Sequence, residues 1–489
     1  MAKSTLMFWA IFGLAVILPK VVLVVTVAVL TMQTVLILVR LGARVSAGSS
    51  PKTQGRDVCP VFSVHVAIHN EPPILVNATL HALFRQEFPS DRVEIIVIDN
   101  NTTNPALWSP VERECSLLGD RFRFLHREGV IGAKAGALNI ALDHTRPDAT
   151  HIVTIDADYV VQPDFLADAE RALRRTGADY VQFPQAYRRT DSIAQGVDIE
   201  LEEYFRSEAR MADDAEAVLL TGTLCVISKA ALLCVGGWSG RTTTEDAELG
   251  VRLCKGGFTG RYIPKVVGNG LLPLTLTDLL KQRYRWTSGN LRTLVLYLPN
   301  LLWHSGALRT RQVVAIIAQL GAWLNFGLVP AAALLATALF NPAFTVLMTV
   351  AAVSILLALG DIISRLMTRS IKETESLALG VAAITSRLAL APAAARATAD
   401  ACFSGTQKFI VTRKFASSHN CHSHVPLDHM VLFALALSAL WNVRELSLTI
   451  QLGVGALTLP LPAAWWVTEQ LTRYRSVAFH TPDAKEISA

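Results

Sequence analysis

The feature that most restricts this chain is the run from Leu6 to Val39, almost wholly apolar and broken only by Pro19-Lys20, Thr26, Thr31, Gln33 and Thr34. Val21 to Val39 reaches the length of about 20 residues that a membrane-crossing helix needs. The run is too long for a signal-peptide core of roughly 7 to 15 residues, so it reads as an anchor. Leu6 to Leu18 is either the outer part of one tilted helix or a short second element turned at Pro19-Lys20. Arg40, Arg44, Lys52 and Arg56 follow the run, against Lys3 alone before it, so its C-terminal side is expected to face the cytoplasm. Ala47 to Gln54 reads as a Gly/Ser/Pro linker.

The rest of the chain divides in the same way. With 489 residues, 51% hydrophobic and 17% charged, it is too apolar for a soluble enzyme, and its first half is too polar for a pure transporter. The net charge of +5 comes with no basic run interleaved with aromatics, so nucleic acid is not an expected partner. The cysteines (Cys59, Cys115, Cys225, Cys234, Cys254, Cys402, Cys421) form no CxxC and no paired spacing, which points to a reducing compartment.

From Val61 to Ile263 short β-branched runs alternate with amphipathic helices, the pattern of βαβ units and a largely parallel sheet. Ser63 to Ile68, Val93 to Ile98, Arg121 to Leu125, His151 to Ile155 and Tyr180 to Phe183 read as strands. Leu75 to Arg85, Val111 to Leu118, Ala135 to Leu142 and Phe165 to Arg174 read as the helices between them. Ligands of such sheets lie beyond the carboxyl ends of the strands, which gathers Asn70, Glu71, Asp99, Asp156 and Asp158 in one crevice.

Beyond the sheet, Thr277 to Leu296 reads as a helix with Gln282, Arg285 and Trp286 on one face. An amide, a guanidinium and an indole there can hold a phosphate and stack a flat ligand; an interfacial helix with snorkelling cations is the plainer alternative. Val313 to Phe340, Thr345 to Ile363, Met430 to Val443 and Leu446 to Val467 read as spans, the third of them short. Arg365 to Ala401 carries too many arginines for a span and reads as interfacial.

Two acidic motifs carry chemistry. Asp156-Ala157-Asp158, at the end of an apolar strand, offers hard oxygen ligands suited to Mg2+ or Mn2+ on a diphosphate, although acidic turns after strands are common. Thr244-Glu245-Asp246 opens a helix. It reads either as an N-cap followed by dipole-stabilised acids or as the site of a general base, Asp246, for a hydroxyl nucleophile.

In order and spacing, Asp99, Asp156/Asp158, Thr244-Glu245-Asp246 and Gln282-Arg283-Tyr284-Arg285-Trp286 resemble the motifs of membrane-integrated family 2 glycosyltransferases. Those include cellulose, hyaluronan and chitin synthases. His69-Asn70-Glu71-Pro72-Pro73, Val97 to Thr102 and Lys134 to Asn139 are similar to the bacterial β-(1,3)-glucan and nodule-development type glucosyltransferases. Phe409 to Lys414 resembles the gating loop of bacterial cellulose synthase. The resemblance implies a GT-A-like (Rossmann-like) α/β cytosolic domain joined to an α-helical transmembrane domain. Its expected limits are an N-terminal membrane segment at 1–45, the transferase domain at 46–275 and an interfacial motif helix at 276–300. A transmembrane domain of about four spans follows at 301–472, with a gating-like loop at 403–415, and then a cytosolic tail at 473–489.

It implies a multi-pass protein of the bacterial inner membrane, in contact with the lipid bilayer, that uses a UDP-sugar donor, UDP-glucose first. The donor extends a β-glucan or oligosaccharide acceptor with inversion, using Mg2+ or Mn2+. A periplasmic or membrane export partner is a further expectation. Glu71, Asp99, Lys134, Asp156, Gln282, Arg285, Thr412 and Lys414 would bind the nucleotide-sugar, and Asp158 with Asp156 the metal. Asp246 would be the base, and Trp286, Cys225 and Glu245 would meet the acceptor; the thiol of Cys225 also reads as core. Tyr159 stands where some cellulose synthases carry His, and the tail after Val467 is too short for a cyclic-dinucleotide-binding domain. A non-processive lipid glycosyltransferase and a catalytically degenerate export or sensor protein are the other readings. His419, Cys421, His422, His424 and His429 fit no zinc spacing and read as a polar loop.

Overall fold

The computed structural model describes residues 3–46, 55, 57–188, 194–303, 308–372, 377–403 and 425–478. Helices α1 (Lys3–Ile17) and α2 (Pro19–Ser46) open the chain, with the break at Leu18 and Pro19 in the first turn of α2, where its missing N–H costs nothing. Ser4 donates to Asp400 from its backbone N and from Oγ (2.6 and 3.0 Å). Arg44, near the end of α2, lies 3.8 and 3.6 Å from Glu203 and Glu208. Tyr284 also bonds Asp400, and its neighbour Arg283 pairs with Glu200, so these contacts belong to one neighbourhood. One straight helix would hold Ser4 and Arg44 about 60 Å apart. The two helices are therefore a turned pair.

The globular half runs β1 (Phe62–Ile68), α3 (Pro73–Phe84), β2 (Val93–Asn100), α4 (Pro105–Leu117), β3 (Phe122–Arg127), α5 (Ala133–Asp143), β4 (His151–Asp156), β5 (Val160–Val161), α6 (Phe165–Thr176) and β6 (Tyr180–Gln182). Helix α7 (Gln195–Tyr204) then passes through a π-helical turn, Phe205–Ala209, into α8 (Arg210–Asp214). The half closes with β7 (Cys225–Ser228), α9 (Lys229–Cys234), α10 (Glu245–Lys255), β8 (Gly260–Tyr262) and β9 (Gly268–Asn269). Strand β2 is buried along its whole length, as a strand covered on both faces must be, which its near-continuous apolar run allows. The strand order is β3-β2-β1-β4-β7-β6-β8, with β5 and β9 paired apart. β1, β2, β3 and β4 are mutually parallel, but β7 runs antiparallel to both β4 and β6. The seven-stranded sheet is thus largely parallel, as expected, with β7 alone reversed where the chain returns through α7 and α8 before inserting it.

The apolar half begins with α11 (Leu276–Trp303), which carries the Gln282 to Trp286 motif. It continues through α12 (Thr310–Gly321), α13 (Leu328–Phe340), α14 (Thr345–Lys372), α15 (Leu377–Phe403), α16 (Leu427–Asn442), α17 (Leu448–Ala456) and α18 (Pro460–Ala478). Val313 to Phe340, expected as one span, is two helices: the chain breaks at Asn325, whose side chain bonds the backbone N of Gly327 (2.8 Å). Among the described residues, the helices long and apolar enough to cross a membrane are Pro19–Arg44, Thr345–Met367, Leu377–Cys402 and Leu448–Arg475. α15 qualifies by length and composition, yet it packs against α11 and α7 as well as α18.

A layer of buried charge joins the halves. Arg283 of α11 makes a bidentate pair with Glu200 of α7 (2.8 and 2.6 Å), and Arg387 of α15 pairs with the same carboxylate. Arg365 of α14 meets Glu203 (3.0 Å) and Glu208 (3.5 Å), and Arg40 of α2 meets Asp361 of α14 (2.8 Å). Arg44, Arg365 and Arg387, expected near the membrane boundary, are therefore partners of acids on α7 and the turn after it, while Arg40 pairs within the helices, with Asp361.

Candidate active site

The parallel strands set the site. β4 ends at Asp156, whose backbone N donates to Thr223 Oγ1 (3.0 Å), tying the strand end to the turn before β7. Lys134, in the first turn of α5, donates to Asp156 Oδ1 (2.5 Å) and to the carbonyl oxygen of Gly222 (2.8 Å). Gly222 has φ +85°, and a Cβ there would lie 2.7 Å from Asp246 Oδ2 and 3.5 Å from Lys134 Nζ. That left-handed, crowded position suits glycine alone, and it lets Lys134, Asp156 and Asp246 converge. Burial would lower the ammonium pKa of Lys134, but Asp156, Glu245 and Asp246 more than offset this and hold it above its usual value.

The carboxyl of Asp246 is strongly perturbed. Burial first, and the neighbouring carboxylate of Glu245 second, push its pKa up to about 7, against the lowering effects of the Ala247 N–H, Lys134 and Arg285. Its Oδ1 accepts from Ala247 N (2.7 Å). Thr244 stands at the N-cap position of α10, but its side chain makes no capping bond, so the cap expected there is positional only. The motif helix reaches this turn at Gly289, where a Cβ would lie 2.7 Å from Thr244 Cγ2 and Oγ1.

The other expected residues fall into place less uniformly. Glu71, after β1, turns back so that its carboxylate accepts from the backbone N of His69. Asp158 is buried and accepts from Leu271 N (3.0 Å). Gln282 is buried, its amide oxygen accepting from Tyr187 Oη (3.1 Å). Arg285 is half-buried near Asp246, and Trp286 packs at 5.9 Å from Trp323, with Arg283 between them and the acids of α7. Cys225 is 2% exposed in mid-sheet, its thiol 2.6 Å from Thr154 Oγ1 and pushed up to about 12 by burial, so it is core and not an acceptor contact. Asp99 is 1% exposed, with Thr102 Oγ1 donating to its Oδ1 (2.6 Å) and His126 Nδ1 at 2.7 Å from its Oδ2. Thr412 and Lys414 lie outside the described residues, as do His419, Cys421, His422 and His424. His429 is buried and bonds the carbonyl oxygen of Ala389 (2.9 Å).

Sequence reasoning missed Gly222, Thr223 and Glu200, and gave Arg283 no role of its own. Gly222 next to Thr223 was readable as a special turn; Glu200 carried no local signal, since its partner lies 83 residues away.

Among the described residues no three or more His, Cys, Asp or Glu side chains converge as a metal cage. Asp156 and Asp158 are a two-carboxylate set of hard oxygens. That chemistry would suit Mg2+ or Mn2+, with phosphate and water completing the shell.

Comparison with known proteins identifies the domain in which these residues lie. Residues 63–236 match the family Glycosyl transferase family 2, and residues 151–361 match Glycosyl transferase family group 2. The chain carries a family 2 glycosyltransferase domain of GT-A-like fold, together with apolar helices able to span a membrane. It is 29% identical over 238 residues to glucomannan 4-beta-mannosyltransferase 2 of Arabidopsis thaliana, covering 47% of this chain and 44% of that one. It is 26% identical over 273 residues to cellulose synthase 2 of Novacetimonas hansenii, covering 54% and 16%. The chain thus spans less than half the length of these relatives. Its fold is similar to that of mannosyltransferase PcManGT from Pyrobaculum calidifontis, solved in complex with GDP-Man and Mn2+. That match has a TM-score of 0.51 at 19% identity, covering 75% of this chain and 99% of that one.

Proposed function

We propose that the chain is an inverting β-glycan synthase of a bacterial inner membrane. It transfers a hexose from a nucleoside diphosphate sugar, UDP-glucose first, to the end of a growing glycan and passes the polymer into its own helices. The observation that carries this reading is the carboxyl of Asp246, held near pH 7 beside Lys134 and Asp156 at the carboxyl end of the sheet. A general base works best with a pKa near the operating pH. Asp246 takes the proton of the acceptor hydroxyl as that oxygen attacks the anomeric carbon from the face opposite the leaving diphosphate. Lys134 and Arg285 stabilise the negative charge that builds on the leaving group.

Asp158, with Asp156, would hold the divalent ion, which supplies further charge neutralisation when bound. Trp286 would stack under the terminal sugar of the acceptor.

A second reading, transfer of mannose, is favoured by the glucomannan 4-beta-mannosyltransferases among the relatives. The test is incubation of the purified protein in lipid with labelled UDP-glucose, UDP-N-acetylglucosamine and GDP-mannose, with and without Mg2+ or Mn2+. The product is then digested with linkage-specific glucanases and mannanases. The proposal expects a metal-dependent polymer that a β-glucanase degrades. A mannanase-sensitive product selects the second reading, and short lipid-extractable products would overturn the polymer claim.

A further inference from the structure

The apolar half holds a groove that the transferase reading does not use. α2 and α12 touch where Gly321 meets Leu36: a Cβ at Gly321 would lie 2.6 Å from Leu36 Cδ1, so glycine lets the two helices come this close. Between the end of α2 and the start of α12 lies a cavity of about 610 Å3, mostly apolar and bounded on a third side by α8. Sites that bury a whole small ligand run from about 300 to 1,000 Å3. Ala43 and Met211, packed with Ala318 and Val314, form its apolar floor. Val35 and Leu38 stand exposed at its edge on a helix long and apolar enough to cross a membrane. The groove is therefore continuous with the apolar surface of a candidate span.

Gly42 sharpens this reading. It lies inside α2, where glycine weakens a helix, and a Cβ there would meet nothing within 4 Å. Unlike Gly321, it answers to no close neighbour; what it leaves open is the groove.

The other end of the cavity is polar. Thr310 and Arg311, which open α12, line it together with Asp214 at the end of α8. Arg311 Nε is buried with no hydrogen-bond partner among the described residues, and Arg311 Nη2 lies 3.4 Å from Glu216 Oε2, which Arg309 approaches to 3.7 Å. This rim carries as many acids as arginines. A seat for an acidic headgroup would be basic. A balanced rim matches a headgroup with one charge of each sign, its phosphate toward the guanidinium and its ammonium toward the carboxylates.

We propose that the groove seats a phospholipid of the phosphatidylethanolamine class. One acyl chain lies on the floor at Ala43 and Met211, the phosphate meets Arg311 and the first turn of α12, and the ammonium meets Asp214 and Glu216. A trimethylated headgroup has no N–H to give those carboxylates, and an acidic headgroup leaves their charge unpaired.

The test is photolabelling of the full chain in phosphatidylcholine nanodiscs that carry a small fraction of phosphatidylethanolamine with a diazirine in one acyl chain, followed by peptide mapping. Label is expected on residues 35–43 and 310–315. Unlabelled phosphatidylethanolamine competes for it about tenfold better than phosphatidylglycerol or phosphatidylcholine. Gly42→Leu puts a side chain into the groove and removes this label without lowering the unfolding midpoint, since leucine is the better helix former. Arg311→Gln weakens all three competitors about tenfold, and Asp214→Asn brings them to within about threefold of one another. Equal competition by the three headgroups in the wild type, or label that persists in folded Gly42→Leu, overturns the proposal. Label confined to other apolar helices overturns it too, and is the result if a second copy of this chain or another protein fills the groove.

Discussion

Arg283 and Arg285 stand two residues apart on one helix and serve different clusters of charge. Arg285 lies near Asp246 in a crevice whose members are partly exposed and whose central carboxyl is held near pH 7. Arg283 is buried in a bidentate pair with Glu200, within the layer that Glu203, Glu208, Arg365 and Arg387 complete. In the crevice burial, and after it a neighbouring carboxylate, moves the pKa of Asp246, and a proton becomes transferable. In the layer each buried acid faces arginines, although burial still holds the Glu208 carboxyl above its usual range, and the result is a joint between α7 and the apolar helices. The same residue types thus separate into chemistry and construction according to what surrounds them.

That separation can be broken by substitution. The largest effect is expected for Asp246→Asn: transfer falls by about 10³-fold in kcat, while donor affinity stays within about threefold. Labelled-sugar incorporation and nucleotide binding on the same preparation measure both. The layer responds in the opposite way. Arg365→Ala leaves Glu203 and Glu208 buried with only the longer contacts to Arg44 and Arg387 and is expected to cost about 3 kcal/mol of stability, read by unfolding in detergent. The donor affinity of molecules that remain folded should change little. A variant that lost donor binding without losing stability would mean that the layer belongs to the site. The smallest effect concerns the boundary between the two regions: Trp286→Ala should shorten the product and weaken acceptor use about tenfold with donor affinity unchanged, measured by product sizing and acceptor KM.

Much of the crevice was legible in the sequence, and much of the layer was not. β1, β2 and β4 are apolar runs bounded by turn residues, so their ends, and with them Asp99 and Asp156, follow from pattern alone. β7 is four residues long and pairs antiparallel, too short to show a period. Glu200, Glu203 and Glu208 carry no local signal because the arginines that bury them arrive from α2, α11, α14 and α15. Local pattern also ran Val313 to Phe340 together, since nothing apolar marks the break at Asn325. Asp99 was found, but its burial under Thr102 and His126 is a tertiary fact.

The claim on which the rest depends is that Asp246 accepts the acceptor's proton from a carboxyl titrating near neutrality. Its folded pKa lies above the ordinary carboxylate value, so the basic form is lost as pH falls through about 7. The direct measurement is kcat/KM for the donor between about pH 5 and pH 9 in the wild-type protein. The account predicts a tenfold rise per pH unit below about 7 and a plateau above it. A profile that is flat across neutrality would contradict it.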